Sequence, residues 1–339
     1  MTLQTTSSTA LSSIESIQSI GFLGPSGSHS HDSLKHWLNN NSNNKQAKQI
    51  KENSNNTAQA VNNIIPYNSL RQLCEAGQAH QVDAIWLPVE NALEGSITES
   101  LEFTHLSSPT PHILGEWLTP IQHCLIQKGA RESGETPQHI TSHPQALSQC
   151  RDTLYQQFGP NLQFHPASST SQAVTSLQQH DNSWAALGSK TAADENNLTI
   201  IHSNMSDSPH NSTRFHLLSW HSPTTFSQYL SAYLHHPSQK ENEQNKSIKT
   251  SLKTSLCLGL KDRPGALVDL LLVFKAYNIT MTRIESRPAR QKMGDYLFYI
   301  DVADDLTQDD HAKVRMYLEA ESDFLAISNA YPSFINDSK

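Results

Sequence analysis

Three stretches, "HITSHPQALSQCRDTL", "FHPASSTSQAVTSL" and "SWAALGSKTAADENN", share one arrangement: a short apolar run, a turn rich in polar side chains, then a helical segment. This repetition constrains the fold more than any other feature of the chain. A strand followed by a helix rejoins its sheet through a crossover, so repeated units of this kind build an α/β architecture with parallel strands flanked by helices. In such architectures the binding residues gather in loops at the carboxyl ends of the strands. "IGFLGPSGSHSHDSLKHWL" follows the same plan. Its apolar run at 20–23 is turned by Gly24, Pro25 and Gly27, and Leu34, Trp37 and Leu38 form a helical stripe. "NIIPYNSLRQLCEAG" adds a strand and a helix with Ser69 as its expected N-cap, and "VDAIWLPVEN", "LTIIHSN" and "TRFHLLSW" add further strands.

Polar tracts divide the chain. Residues 1–18 are rich in Ser and Thr and read as a flexible tail, 39–62 carry an Asn/Gln-rich insertion, and 221–252 read as a linker centred on "SQKENEQNKS". Beyond it "SLCLGL", "DRPGALVDLLLVFKAYN", "ITMTRIES", "DYLFYIDV", "TQDDHAKVRMYLEA" and "FLAISNAY" run β-α-β-β-α-β, the order of a ferredoxin-like module. Leu267, Leu270, Leu271 and Phe274 follow helical spacing there, while Tyr296, Phe298, Ile300 and Val302 alternate as in a strand. The expected organisation is a first domain over 19–220 and a second over 253–333.

Composition excludes several classes. A net charge of -8 argues against a nucleic-acid partner or an anionic membrane surface, both of which call for a basic face. Cys74, Cys124, Cys150 and Cys257 lack C-x-x-C spacing and read as reduced, mostly buried thiols without a zinc site. The first twenty residues carry no Lys or Arg and no apolar core, so they are not a secretory signal, and no apolar run is long enough to span a membrane. The expected compartment is the cytoplasm.

Several motifs bear on chemistry, each with an ordinary structural alternative. In "HNSTRFHLLSW" Arg214 stands at the mouth of an apolar strand, where a guanidinium needs either an anionic ligand or an internal ion pair. "GPSGSHS" lacks the endings of nucleotide loops. Its glycines and the helix after it suit an anion, or simply a tight turn and cap. His29 and His31 form an H-x-H pair that is unremarkable among eighteen histidines. Glu90 and Glu94 in "PVENALEG" are either site carboxylates or helix N-terminal charges, and Ser142 and His143 before Pro144 are either site groups or a cap. No G-x-S-x-G supports a Ser/His/Asp triad.

Taken in order, "GPSGSHS", "PVENALEG", "LGEWLTPIQHCLI", "SHPQAL", "SSTSQA" and "HNSTRF" closely resemble the prephenate dehydratase family. "DRPGAL" and "ESRP" resemble the ACT regulatory domain fused behind it. N-x-T-R-F and E-S-R-P are the most specific parts of the resemblance, which runs from about Ile20 to about Tyr331. The short stretch before the first strand leaves no room for the chorismate mutase domain that some members carry, so the stand-alone enzyme is expected. The resemblance implies a two-lobed, periplasmic-binding-protein-like catalytic domain and a ferredoxin-like (βαββαβ) ACT domain. It also implies dehydration and decarboxylation of prephenate to phenylpyruvate in L-phenylalanine biosynthesis, with no cofactor or metal.

Thr213 is implied as the essential hydroxyl and proton donor, and Arg214 as a bidentate anchor for a substrate carboxylate. Ser28, Asn91, Ser142, Ser169 and Thr170, with Asn211 and Phe215 of the same motif as Thr213, are the further substrate contacts expected. Phenylalanine is expected to bind between subunits of a homodimer or homotetramer and to inhibit. Its implied site is Pro264, Gly265, Ala266 and Leu267 with Glu285, Ser286, Arg287 and Pro288. Two departures touch the pocket: the family usually has Gly-Thr-Phe-Ser at Gly27, Ser28, His29 and Ser30, and Ser or Thr at Ala92. The competing readings are an arogenate dehydratase and an amino-acid sensor without catalysis, since the two-lobed core resembles solute-binding proteins.

Overall fold

A computed structural model describes residues 17–42, 61, 63–129, 136–221, 249–289 and 295–335. Almost all of the expected tail, most of the Asn/Gln-rich insertion and nearly all of the linker lie outside the described residues.

The first lobe starts with β1 (Ser19–Leu23), α1 (His29–Ser42), β2 (Asn63–Tyr67), α2 (Leu70–Gln78) and β3 (Ala84–Asn91). β1 runs parallel to both β2 and β3. Ser69 caps α2 by accepting the Gln72 amide, as its place before the first apolar helical residue implies. β4 (Gly95–Ser96) and α3 (Thr98–Leu106) lead to β5 (His112–Pro120).

The second lobe holds β6 (Cys124–Gln127), β7 (His139–Ser142), α4 (Pro144–Gln149), α5 (Arg151–Phe158) and β8 (Gln163–Pro166). It continues through α6 (Thr170–Ser176), β9 (Trp184–Gly188), α7 (Lys190–Asn196) and β10 (Thr199–His202). The three repeated stretches are its β7–α4–α5, β8–α6 and β9–α7 units. Its five-stranded sheet has the order β10-β6-β9-β7-β8, with β7 parallel to β8 and β9. β11 (Ser212–Ser219) then returns to the first lobe and inserts antiparallel between β3 and β5.

The last part of the chain forms β12 (Lys249–Leu260), α8 (Ala266–Ala276), β13 (Met281–Pro288), β14 (Tyr296–Val302), α9 (Ala312–Glu321) and β15 (Ser322–Ile327). This is the expected β-α-β-β-α-β order. One more strand, β16 (Tyr331–Ile335), follows the stretch read from sequence as the last. β16 pairs antiparallel with the first half of β12 and parallel with β5. Asn329 reinforces the junction by accepting the Ile113 amide at 2.9 Å and donating to the Ile113 carbonyl at 2.8 Å. One eleven-stranded sheet therefore runs β13-β14-β12-β16-β5-β11-β3-β1-β2 through both units, with β15 on β12 and β4 on β3. The module is attached through backbone hydrogen bonds as well as through the connecting chain.

Trp86 organises the core beneath the first-lobe sheet. It stacks on Phe215 and on Trp37, each at 5.3 Å between ring centroids, and its indole N–H donates to Ser33 Oγ at 2.8 Å. Burying Phe215 in this cluster sets the facing of β11, and the two-residue period of the strand then fixes where its neighbours point. The four cysteines are buried and unpaired, as expected. Among the described residues no helix is long and apolar enough to cross a membrane.

Candidate active site

The lobes face each other across a cavity of about 480 Å³, a size that holds a small metabolite. The first lobe contributes Ser28 and His29 from the glycine loop, Asn91 and Glu94 after β3, and Asn211, Thr213 and Phe215 around the start of β11. The second contributes Gln149, Ser169 and Thr170, with His123 between β5 and β6. The glycine loop is pinned across the gap. Gly27 has φ of +76°, and a Cβ there would stand 3.1 Å from Ala192 Cα, so only glycine lets the loop lie on α7. Ser189 donates to the Gly27 carbonyl at 2.8 Å, and Asp32 accepts the Thr191 hydroxyl at 2.6 Å.

The chemistry of the cavity is mostly uncharged. α1, α4 and α6 all begin at its wall, where Ser169 caps α6 through the Gln172 amide at 3.0 Å. Free first-turn amides of such helices carry partial positive charge. Among the described residues no Lys or Arg lines the cavity, and its ionisable side chains are His29, Glu94, His123 and His143. His29 Nε2 lies 3.1 Å from His123 Nδ1. Burial, then the neighbouring His123 ring, pushes the His29 imidazole down to about 3, and burial also lowers His123, so both are neutral near pH 7. His31 turns elsewhere, with Nδ1 accepting the Gly27 amide at 2.9 Å and its ring stacked on Phe22.

Thr213 sits at the base of the cavity, and its Oγ1 accepts from Asn91 Nδ2 at 3.0 Å. Asn91 is held in that orientation because its Oδ1 accepts the Leu93 and Glu94 amides at 2.9 and 3.2 Å. The bond from Asn91 occupies one lone pair of the threonine oxygen.

Of the substrate contacts expected from sequence, Ser28, Asn91, Ser169, Thr170, Asn211 and Phe215 line this cavity with Thr213. Ser142 does not. It is fully buried at the end of β7, and its hydroxyl donates to the Leu187 carbonyl at 2.8 Å, so it ties β7 to β9 and its expected contact role is corrected. Arg214 is the larger correction. Strand alternation sends Thr213 and Phe215 to the cavity and Arg214 and His216 to the opposite face of β11. There the guanidinium lies 3.0 Å from Glu116 Oε2, 3.1 Å from Glu90 Oε2 and 3.9 Å from Asp301 Oδ2. Protein carboxylates occupy the fork that was expected to hold a substrate carboxylate.

Glu116, 3% exposed, centres that cluster. It accepts from Lys253 Nζ at 2.6 Å, Ser333 Oγ at 2.7 Å and Arg214 at 3.0 Å, and His216 Nε2 lies at 3.4 Å. Burial alone would raise its carboxyl, but the His216 bond and the Arg214 and Lys253 charges hold it well below the usual range. Asp301, also buried, accepts from Arg283 Nε and Ser255 Oγ, each at 2.7 Å. Arg283 reaches Glu285 at 3.5 Å, and Glu285 pairs with Arg287. Charged groups thus run from β11 to the E-S-R-P stretch.

The expected regulatory residues fall in two places. Pro264, Gly265, Ala266 and Leu267 form the turn into α8, with Gly265 at φ +83° in open space. Glu285, Ser286, Arg287 and Pro288 lie on the edge strand β13, separated from β12 by β14, roughly 10 Å at the usual strand spacing. Sequence reasoning gave no role to His123, Gln149, Glu116 or Lys253. A glutamate inside the apolar strand "HILGEWLTP" was a usable signal, because a carboxylate there must have internal partners.

The fold and site define a class: a two-lobed α/β protein whose cavity presents hydroxyl, amide and imidazole groups, joined in one sheet to a ferredoxin-like module. Residues 20–223 match the family model for prephenate dehydratase. The chain is 34% identical over 249 residues to a prephenate dehydratase of Lactococcus lactis subsp. lactis, covering 73% of this chain and 80% of that one. It is 32% identical over 249 residues to a prephenate dehydratase of Methanocaldococcus jannaschii, with the same coverage of 73% and 80%. The crystal structure of the Arthrobacter aurescens prephenate dehydratase in complex with L-Phe matches with a TM-score of 0.66 at 26% identity, covering 92% of this chain and 89% of that chain. The chain belongs to the prephenate dehydratase family. It is a hydro-lyase that forms phenylpyruvate from prephenate, with a two-lobed, periplasmic-binding-protein-like catalytic domain followed by a ferredoxin-like C-terminal module.

Proposed function

We propose that Thr213 protonates the ring hydroxyl as it leaves prephenate. The bond between the ring and its carboxylate breaks, carbon dioxide departs, and the electron pair enters the ring. At the opposite ring carbon the hydroxyl leaves with one proton. Prephenate dianion and one proton thus give phenylpyruvate monoanion, carbon dioxide and water, driven by aromatisation. Ser28, Ser169 and Thr170 and the first-turn amides of α1 and α6 receive the carboxylates without a fixed cation. The bond from Asn91 Nδ2 to Thr213 Oγ1 carries this reading, since a hydroxyl that accepts there still has its own proton to donate, and Thr213 lines the cavity.

Turnover of prephenate to phenylpyruvate by the purified chain tests it. Thr213→Ala should lower kcat by ~10²–10⁴ with an unchanged melting temperature, and Thr213→Ser should keep more activity. Wild-type turnover by the alanine variant would remove Thr213 from this role. Arogenate belongs in the same assay. Its ammonium would find a partner in Glu94, which lines the cavity, and the ratio of kcat/KM values decides between the substrates.

The Arthrobacter aurescens relative is a complex with L-Phe, and we extend that ligand to this chain as a feedback inhibitor. The reaction falls to residues 19–220 and the regulation to 253–333. The separation of the 264–267 turn from 285–288, and the exposed Val268, Leu272, Ile284 and Tyr296, support a site completed by a second copy in a homodimer or homotetramer. Four buried, unpaired thiols suit a reducing compartment, the cytoplasm.

A further inference from the structure

The charged groups between the E-S-R-P stretch and β11 alternate in sign, link by link. Arg287 pairs with Glu285, which also lies 3.5 Å from Arg283. Arg283 Nε donates to Asp301 Oδ2 at 2.7 Å, and the same oxygen lies 3.9 Å from Arg214 Nη1. Arg214 in turn divides its guanidinium between Glu116 and Glu90. The side chains become more enclosed along the way, from 39% exposed at Arg287 to 9% at Arg283 and 1% at Asp301. Pairs this deep are little screened by water or salt, so a change of charge at the outer end is felt inward.

Strand register joins the inner end to the reacting groups. Arg214 stands opposite Glu90 and Thr213 opposite Asn91, two successive pairs of β11 with β3. The first pair belongs to the charged face, and the second borders the cavity, where Asn91 donates to Thr213 Oγ1 at 3.0 Å. The register of the two strands shifts between Arg214 and Phe215, an irregularity that interrupts the ladder beside these pairs. Arg214 Nε is buried 3.1 Å from Glu90 Oε2 without hydrogen-bond alignment, so charge rather than a directed bond holds that pair.

A network of ion pairs couples two sites when it has more than one arrangement. Two members here are shared: Glu285 serves Arg283 and Arg287, and Arg214 serves Glu90, Glu116 and Asp301. An amino acid brings an ammonium that competes for Glu285 and a carboxylate that competes for Arg287. Either contact changes the share of Glu285 left to Arg283. Arg283 then holds Asp301 more or less tightly, and Asp301 competes with Glu90 for Arg214.

We propose that this alternating series carries the feedback signal: phenylalanine at the E-S-R-P edge redistributes the ion pairs through Arg283 and Asp301, and Arg214 shifts against Glu90 beside the Asn91–Thr213 bond. This rests on L-phenylalanine as the inhibitor of this chain. Arg283 and Asp301 are the transmitting links, and neither lines the cavity.

Inhibition and binding measured side by side on the full chain test the route. In the wild type, saturating L-phenylalanine should lower kcat/KM by ~5–150-fold, the usual range of coupling between sites. Replacing the pair together, Arg283→Met with Asp301→Leu, removes one charge of each sign. Glu285 keeps Arg287, and Arg214 keeps Glu90 and Glu116, so no charge is left buried alone. Without ligand this variant should stay within about threefold of wild type in kcat/KM and in calorimetric Kd for L-phenylalanine, while inhibition falls to about twofold or less. Binding retained without inhibition is a result that general loosening of the module would not give. Asp301→Asn removes the charge but keeps an oxygen for Ser255, and should weaken inhibition in the same way. Full inhibition of the paired variant, or of Asp301→Asn should the paired variant not fold, overturns the route. So does loss of binding in step with loss of inhibition. A wild type that L-phenylalanine does not inhibit removes the feedback reading itself, and the route with it.

Discussion

Thr213 and Arg214 are neighbours in sequence and sit in opposite worlds. One face of β11 borders a cavity that, among the described residues, no Lys or Arg lines, while the other buries Arg214 with Glu116, Lys253, Asp301 and Arg283. The contrast shows how this fold divides its labour. A fixed cation in the cavity would bind the dianionic substrate and the transition state about equally, which lowers KM without raising kcat. Directed hydroxyls can instead act where the bonds change. Charge is used behind the strand, where it joins the catalytic sheet to β12, β14 and β16.

The contrast breaks most readily at Glu116. Glu116→Gln leaves Arg214 and Lys253 buried without their shared carboxylate, and removing one partner of a buried ion pair costs ~3–5 kcal/mol. Denaturant unfolding should show that loss while the folded fraction keeps its KM. A KM collapse at wild-type stability would mean that the charged face belongs to the reacting site after all. Arg214→Lys is a milder version. It keeps the charge but cannot serve Glu90 and Glu116 together, at a cost of about 1.5–3 kcal/mol for a charged hydrogen bond, again with KM close to wild type. A large rise in KM with stability intact would restore Arg214 as a substrate anchor.

The smallest effect is in pH. His105, near Asp301 and Arg283, is pushed down to about 3, first by burial, as His29 is on the cavity side. Unfolded histidine titrates near 6.5, so between about 3 and 6.5 the unfolded chain binds more protons. The stabilisation is therefore complete above pH 6.5 and is lost as pH falls below it. His105→Phe should flatten the fall in stability between pH 6.5 and 5.5 by on the order of 1 kcal/mol. A slope unchanged in that variant would show that His105 is not held neutral. Glu116 and Asp301, whose pKa values are depressed, act in a separate window and lose their contribution only below the carboxylate range near pH 4.

The strand–turn–helix order, the β-α-β-β-α-β module and most of the cavity residues were legible because local signals set them: turn chemistry, helical spacing and strand alternation. Thr213 was legible from its motif. Alternation also applied to Arg214, but it tells only that adjacent residues part, not which side holds the cavity. That depends on Phe215 packing under Trp86, a contact between distant strands. Ser142 misled for a related reason, since its partner is a backbone carbonyl 45 residues away. Gln149 gave no signal, because its three partners come from three separate segments.

The pairing of β5 with β16 has a consequence on the ribosome. Asn329 and Ile113, which bond at that junction, are 216 residues apart. At synthesis rates of about 5–20 residues per second, β5 waits roughly 10–40 s for its neighbour to emerge. Until then its edge carries unsatisfied amides and carbonyls, and Glu116 lacks both Lys253 and Ser333. The nascent chain therefore passes through a long interval with an open sheet edge and a half-neutralised carboxylate, and translation speed over the second half sets how long that exposure lasts.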